Sequence, residues 1–163
     1  MDNPIQTFVD ILPDASSQDL FVALHRLYED AVGVKLFTCS QFDLEAGKAE
    51  RIYTSDPVAY PLTGLKDIVP NRWTGIVLDQ RMPFLAENIE GLRDVFPDHE
   101  KIEALGLGAA INLPTFVGGR MFGSANLLDT DNSYSRETLN TLASLSVCAT
   151  VAFLVYHAEK TAS

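Results

Sequence analysis

Two extended, largely apolar runs, Ala109 to Val117 and Arg120 to Leu128, are separated by nothing but Gly118-Gly119. A two-residue loop joins antiparallel strands through turns whose central residues take φ > 0, which glycine does without a Cβ penalty. A β-hairpin is therefore expected here, and the sheet it belongs to must bury at least one face against another layer. The chain has 163 residues, 47% hydrophobic and 21% charged. That is enough for one filled core and too little for two ordinary domains.

The flanking segments supply the other layer. Pro4 to Leu12 carries Ile5, Phe8, Val9 and Leu12 at helical spacing. Ser16, with Asp19 three residues on, forms a capping-box pair ahead of the stripe Leu20, Leu24, Leu27, Tyr28 and Ala31, and Gly33 ends that helix. Val34 to Phe42 and Glu50 to Ser55 are rich in β-branched and aromatic residues and read as a second hairpin around the turn Asp43 to Lys48. From Asp56 to Asn71 the chain has prolines at 57, 61 and 70 and no periodicity, so a long irregular connection is expected. Thr74 to Gln80 reads as a helix and Pro83 to Glu87 as a short strand. Asp98 is placed to cap a helix closing at Leu105-Gly106. Ser135 is expected to start one last helix running to about Glu159, apolar around much of its circumference (Leu139, Leu142, Leu145, Val147, Val151, Phe153, Leu154, Val155), so it needs cover on more than one face. Strands in hairpins, with helices at the ends, describe an α+β fold with an antiparallel sheet. Residues 1–15 are read as an N-terminal helical extension and 16–160 as the domain.

Charge and cysteine usage narrow the function. With 22 acidic and 12 basic side chains the formal charge is −10, which repels phosphate backbones and anionic headgroups, so neither nucleic acid nor a membrane is an expected partner. Met1-Asp2-Asn3-Pro4 lacks the basic and apolar regions of a secretory signal, and a cytoplasmic location is expected. The longest apolar stretch, Val147 to Tyr156, falls short of the about 18 residues that span a bilayer. Cys39 and Cys148 form neither a disulfide framework nor a metal cluster and are read as small buried hydrophobes. Gly106-Leu107-Gly108 lacks the third glycine of a dinucleotide fingerprint and precedes a strand.

Three blocks resemble the GAF family. Gly75-Ile76-Val77-Leu78-Asp79-Gln80-Arg81-Met82-Pro83-Phe84-Leu85 is similar to its G-x-V-x-x-x-x-x-P segment. Ala110 to Pro114 followed by Gly119 to Leu128 is similar to its paired late strands, and the helix starting near Tyr134-Ser135 to its closing helix. Together they run from about Leu20 to Tyr156. The resemblance implies a five- or six-stranded antiparallel sheet of profilin/PAS-like type with the N- and C-terminal helices on one face, often dimeric, and a ligand pocket on the other face beneath the long loops. It does not imply one ligand, since the family binds cyclic nucleotides, bilins, haem and amino acids among others. The cyclic-nucleotide pattern Asn-Lys-x-x-x-Phe-x-x-x-Asp-Glu is absent, and Tyr60-Pro61-Leu62-Thr63-Gly64 does not match a bilin-binding segment. Members that reduce free methionine sulfoxide use cysteines on the pocket loops, whereas between Ser40 and Val147 this chain has none.

The candidate ligand-binding residues are Tyr60, Lys66, Trp73, Asp98, His99 and Asn112. Tyr60, Lys66 and Trp73 offer an aromatic wall and a cation, against the alternative that the rings only cap the sheet and the lysine is solvated. Asp98 and His99 are a titratable pair at a helix start, where capping alone also explains an aspartate. Asn112 and Asn126 are amides in apolar strands that need partners from ligand, backbone or water, with Tyr53 and Thr115 as lesser cases. His25 and His157 are read as structural. No carboxylate pair, nucleophile elbow, His/Cys cluster or phosphate loop is present. The expected function is a small-molecule-binding sensor or regulatory domain, not an enzyme, its ligand and any cofactor unidentified, forming a homodimer through the terminal helices. The rivals are an interaction module with no ligand and a methionine sulfoxide reductase-like enzyme.

Overall fold

The computed structural model describes residues 3–163; Met1 and Asp2, at the start of the expected extension, lie outside the described residues. Six strands, β1 (Leu36–Asp43), β2 (Lys48–Thr54), β3 (Lys66–Asp67), β4 (Phe84–Ala86), β5 (Ala109–Val117) and β6 (Arg120–Asp129), make one sheet in the order β3-β2-β1-β6-β5-β4. Every neighbouring pair is antiparallel. Gly118 and Gly119, at φ 58° and 81°, close the β5–β6 hairpin in the left-handed conformation expected of them.

Side chains alternate across the sheet with the period of two that strands impose. Phe37, Cys39, Ala125, Leu127 and Ile111 face one side, where they join the larger core with Phe21, Leu24, Tyr28 and Phe153. Leu36, Leu128 and Ala110 face the other, in a second core with Val77, Phe84, Leu92 and Ile102. The helices are α1 (Gln6–Ile11), α2 (Ser17–Val32), α3 (Arg72–Thr74), α4 (His99–Ala104), α5 (Arg136–Ala143) and α6 (Ser146–Ala162). α2 starts at the Ser16/Asp19 capping box read from the sequence, and Gly33 caps its end. Phe8 docks α1 into the same core as α2. A Cβ at Gly123 would overlap the ring of Phe153, so glycine there lets α6 lie close on β6.

Three elements depart from the sequence reading. The closing helix is two helices, α5 and α6, bent by 61°. The bend falls where the Ser144 hydroxyl donates to Thr141 O at 2.6 Å, an alternative partner for a backbone carbonyl that continued helix would use. It lets both Leu142 and Leu145 enter the core. The helix expected at 74–80 begins two residues earlier, as α3, and runs on into one π turn over Gly75–Asp79. The connection expected to be irregular contains β3, which pairs with β2.

One stripe of α6 remains uncovered: Val147 is 63% and Leu154 39% exposed, with Val151 and Val155 between and beside them only partly buried. Among the described residues no single helix is long and apolar enough to cross a membrane.

Candidate functional site

The sheet face opposite the terminal helices is roofed by the long connection, α3 and α4, and a cavity of about 370 Å³ lies beneath this roof. Thr38 and Ser40 of β1, Asn126 of β6 and Asn112 of β5 line it from the sheet, and Trp73, Phe42, Phe96 and Ile102 supply flat apolar walls. A 900 Å³ cleft by the hairpin tips and the end of α6, and a 630 Å³ groove between α1 and α2, are larger. Neither gathers buried hydrogen-bonding side chains as this cavity does with Thr38, Asn112 and Asn126.

The polar residues form a directed network across three strands. Trp73 Nε1 can only donate, so the Asn112 atom it meets at 2.9 Å is Oδ1. Asn112 then presents Nδ2 to Asn126, and donates to Oδ1 at 2.7 Å. The same Oδ1 accepts from the Ser124 hydroxyl at 2.6 Å. Asn126 Nδ2 in turn donates to Thr38 Oγ1 at 3.1 Å and Ser40 Oγ at 3.3 Å. One donor-only indole thus sets the orientation of both amides. The partners that the two amides needed are each other and the neighbouring hydroxyls.

Trp73 is held from outside the cavity. Asn71 caps α3, accepting from Thr74 N at 3.0 Å, and its Nδ2 ties the helix to Val95 O at 3.1 Å. Arg72 makes a two-pronged bond to Asp94, both contacts 2.8 Å, and lies over the Phe84 ring. The exposed pair adds little to stability, but its fork fixes the direction of the turn that carries the indole.

Arg51 is a lining residue that the sequence reading did not single out. Ser40 pairs with Arg51 and Cys39 with Tyr53, so Ile52 is an extra residue in β2. This bulge puts Arg51 on the cavity face and Tyr53 on the helix face, where its ring meets Phe21 and Phe37. Arg51 Nη1 donates to Pro61 O at 2.8 Å, while its buried Nε has no partner among the described residues. Burial lowers its pKa, with Tyr60 and Asp98 acting the other way.

Of the six residues proposed from sequence, the fold brings Lys66, Trp73, Asp98 and Asn112 to the cavity lining, and leaves out Tyr60 and His99. Tyr60 is buried behind it, its ring between the Arg51 and Lys101 cations and its hydroxyl donating to Asp98 Oδ2 at 2.6 Å. Burial and that hydrogen bond push its pKa up. Asp98 stands at the start of α4 but makes no side-chain cap, because Tyr60 has taken its carboxylate. His99 Nδ1 donates to Phe96 O at 2.9 Å instead of entering the cavity.

The architecture matches solved structures over nearly its whole length. The GAF domain from Acinetobacter phosphoenolpyruvate-protein phosphotransferase aligns with a TM-score of 0.71, covering 99% of both chains at 14% identity. The phycoerythrobilin-bound GAF domain from a cyanobacterial phytochrome aligns at 0.70, covering 96% of each at 12% identity. That of a two-component sensor histidine kinase from Bacillus halodurans aligns at 0.67, covering 89% of this chain and 97% of its own at 14% identity. The chain has the GAF fold. No family model matches the sequence, and no curated protein matches it. Within this GAF fold both cysteines sit in the helix-side core, across the sheet from the cavity, and burial raises both thiol pKa values. Neither is placed to act on a molecule in the cavity. His25 stacks on Phe37, and His157 donates from Nε2 to Phe122 O at 2.9 Å, as structural residues would. Among the described residues no cluster of three metal-ligating side chains occurs.

Proposed function

We propose that this GAF-fold chain is a sensory or regulatory domain that binds a small molecule in the cavity over β1, β6 and β5 and does not catalyse a reaction on it. The observation that carries the reading is the cavity itself, about 370 Å³, with aromatic walls and buried hydrogen-bonding groups converging on its floor. The absence of a thiol on its lining is consistent with binding alone. A thermal-shift screen of metabolites tests the reading, because a molecule that binds only the folded state raises its stability by mass action. A hit is expected, and Trp73→Ala should abolish its shift. A shift that survives Trp73→Ala would place the molecule elsewhere, and failure of all compounds would favour an interaction module.

Signal output is assigned to the helical face. The stripe of Val147, Val151, Leu154 and Val155 supports a homodimer in which α6 packs on a second copy. Sedimentation of the parent should show a concentration-dependent dimer, and Leu154→Glu should shift it to monomer. A parent protein that stays monomeric at high concentration would remove this part of the proposal.

A further inference from the structure

The donor inventory of the cavity points to the chemistry of its occupant. Resting on the binding reading above, we infer that the cavity selects a small planar molecule bearing a carboxylate. The directed network consumes acceptors and leaves donors. Thr38 Oγ1 and Ser40 Oγ both accept from Asn126 Nδ2, so their hydroxyl hydrogens point away from it, and neither has an acceptor among the described residues. Asn112 Nδ2 uses one of its two hydrogens on Asn126. Arg51 Nη2 donates to none of the described residues.

The amide acceptors on the lining are engaged, and each of its two carboxylates uses one oxygen. Asn126 Oδ1 accepts twice, and Asn112 Oδ1 takes the indole. Asn71 Oδ1 takes Thr74 N and Asp98 takes the Tyr60 hydroxyl. Charge follows the same sense. Asp67 is paired with Lys48 at 2.5 Å, while Arg51 and Lys66 have no carboxylate within 4.0 Å among the described residues. The lining also carries Asp98, whose charge acts on Arg51 from beyond ion-pair distance. With Lys48 neutralising Asp67, the cations Arg51, Lys66 and Lys48 outnumber the carboxylates Asp67 and Asp98 around the cavity. An acceptor-rich anion satisfies both conditions, with Arg51 Nη2 as the charged donor to one carboxylate oxygen and the Thr38 and Ser40 hydroxyls as donors to the other. The flat walls, with the Trp73 and Phe42 rings tilted by 30° and their centroids 5.9 Å apart, suit an aromatic ring as its body.

Trp73 is the only tryptophan in the chain, so its fluorescence reports on this cavity alone. Benzoate and phenylacetate are titrated at low ionic strength against benzamide and phenylacetamide, which keep the shape and lose the charge. The expected result is saturable change with both carboxylates, roughly tenfold tighter than with the amides. Arg51→Met should remove that advantage, bringing carboxylate affinity down to that of the amides. Should Arg51→Met not fold, a salt titration of the parent makes the same distinction, since carboxylate affinity falls with salt and amide affinity does not. Amides binding as tightly as carboxylates would overturn the anionic assignment and leave the cavity as the binding site. No saturable change with either carboxylate at millimolar concentration would also overturn it. Failure of the binding reading itself shows differently, as a metabolite-induced thermal shift that survives Trp73→Ala.

Discussion

Asn126→Ala removes the hub of the polar network, and its cost can be worked from the partners it abandons. The amide makes four hydrogen bonds, to Asn112, Ser124, Thr38 and Ser40. Ser124 is fully buried and Asn112 nearly so, at 0% and 5% exposure, and each would lose the acceptor it uses. An unpaired buried donor costs about 1–3 kcal/mol, and two such donors set the scale. Water reaching the vacated space from the cavity recovers part of this. The net loss should be about 2–4 kcal/mol, a large share of a stability that is ordinarily about 5–15 kcal/mol. Ser124→Ala removes one donor while Asn112 still satisfies Asn126 Oδ1, and should cost about 1 kcal/mol or less. In the double variant the orphaned hydroxyl is gone, so its loss should fall short of the sum by roughly 1 kcal/mol. Urea unfolding followed by circular dichroism, with linear extrapolation, measures all three. Equal costs for the two single variants, or strict additivity in the double, would refute the network as described. Trp73 emission should shift to the red in Asn126→Ala, because Asn112 is then free to turn away from the indole.

Two further outcomes follow from burial. Cys39 and Cys148, with thiol pKa values raised by burial, should resist an aromatic disulfide reagent in the folded protein and both react after denaturation; rapid labelling of either in the native state would contradict their place in the core. His25 and His157 have pKa values depressed below 6.5, in both cases chiefly by burial. The unfolded chain therefore binds protons first, and stability present above about pH 6.5 is lost as pH falls through the folded values, well before the carboxylates of Asp19, Asp67 and Asp94 protonate. His25→Phe, which keeps the stack on Phe37, should flatten that slope between pH 7 and 5 in unfolding measurements, and an unchanged slope would deny His25 a part in it.

Most of the fold was legible because its signals are local. Gly118-Gly119 between two apolar runs specifies a hairpin by turn geometry alone, and Ser16 with Asp19 specifies a helix start by two reciprocal bonds. Where the reading slipped, the deciding interaction came from a distant residue or a choice between near-equal partners. Asp98 has the position of a cap, yet a tyrosine 38 residues away holds its carboxylate. The apolar run through α5 and α6 is continuous, yet the chain bends where Ser144 takes a helix carbonyl and two leucines need the same core.

The site was half legible for one reason of geometry. Trp73 and Asn112 were reachable because an indole in a proline-rich connection and an amide in an apolar strand are unusual wherever they point, Lys66 because it lies in the same connection, and Asp98 because it stands at a helix start. Arg51 was not, because in an unbroken strand it would share a face with Tyr53, and Tyr53 packs against Phe21 and Phe37 in the helix-side core. Strict alternation thus sends the arginine to the wrong side of the sheet. The extra residue at Ile52 reverses this, turning Arg51 to the cavity while Tyr53 stays in the core. A bulge leaves no mark in hydrophobic periodicity beyond two adjacent core residues, here Ile52 and Tyr53. That pair was the available signal. Read as a bulge, it moves a cation onto the face where Asn112 and Asn126 already stand, and with it the electrostatic character of the cavity.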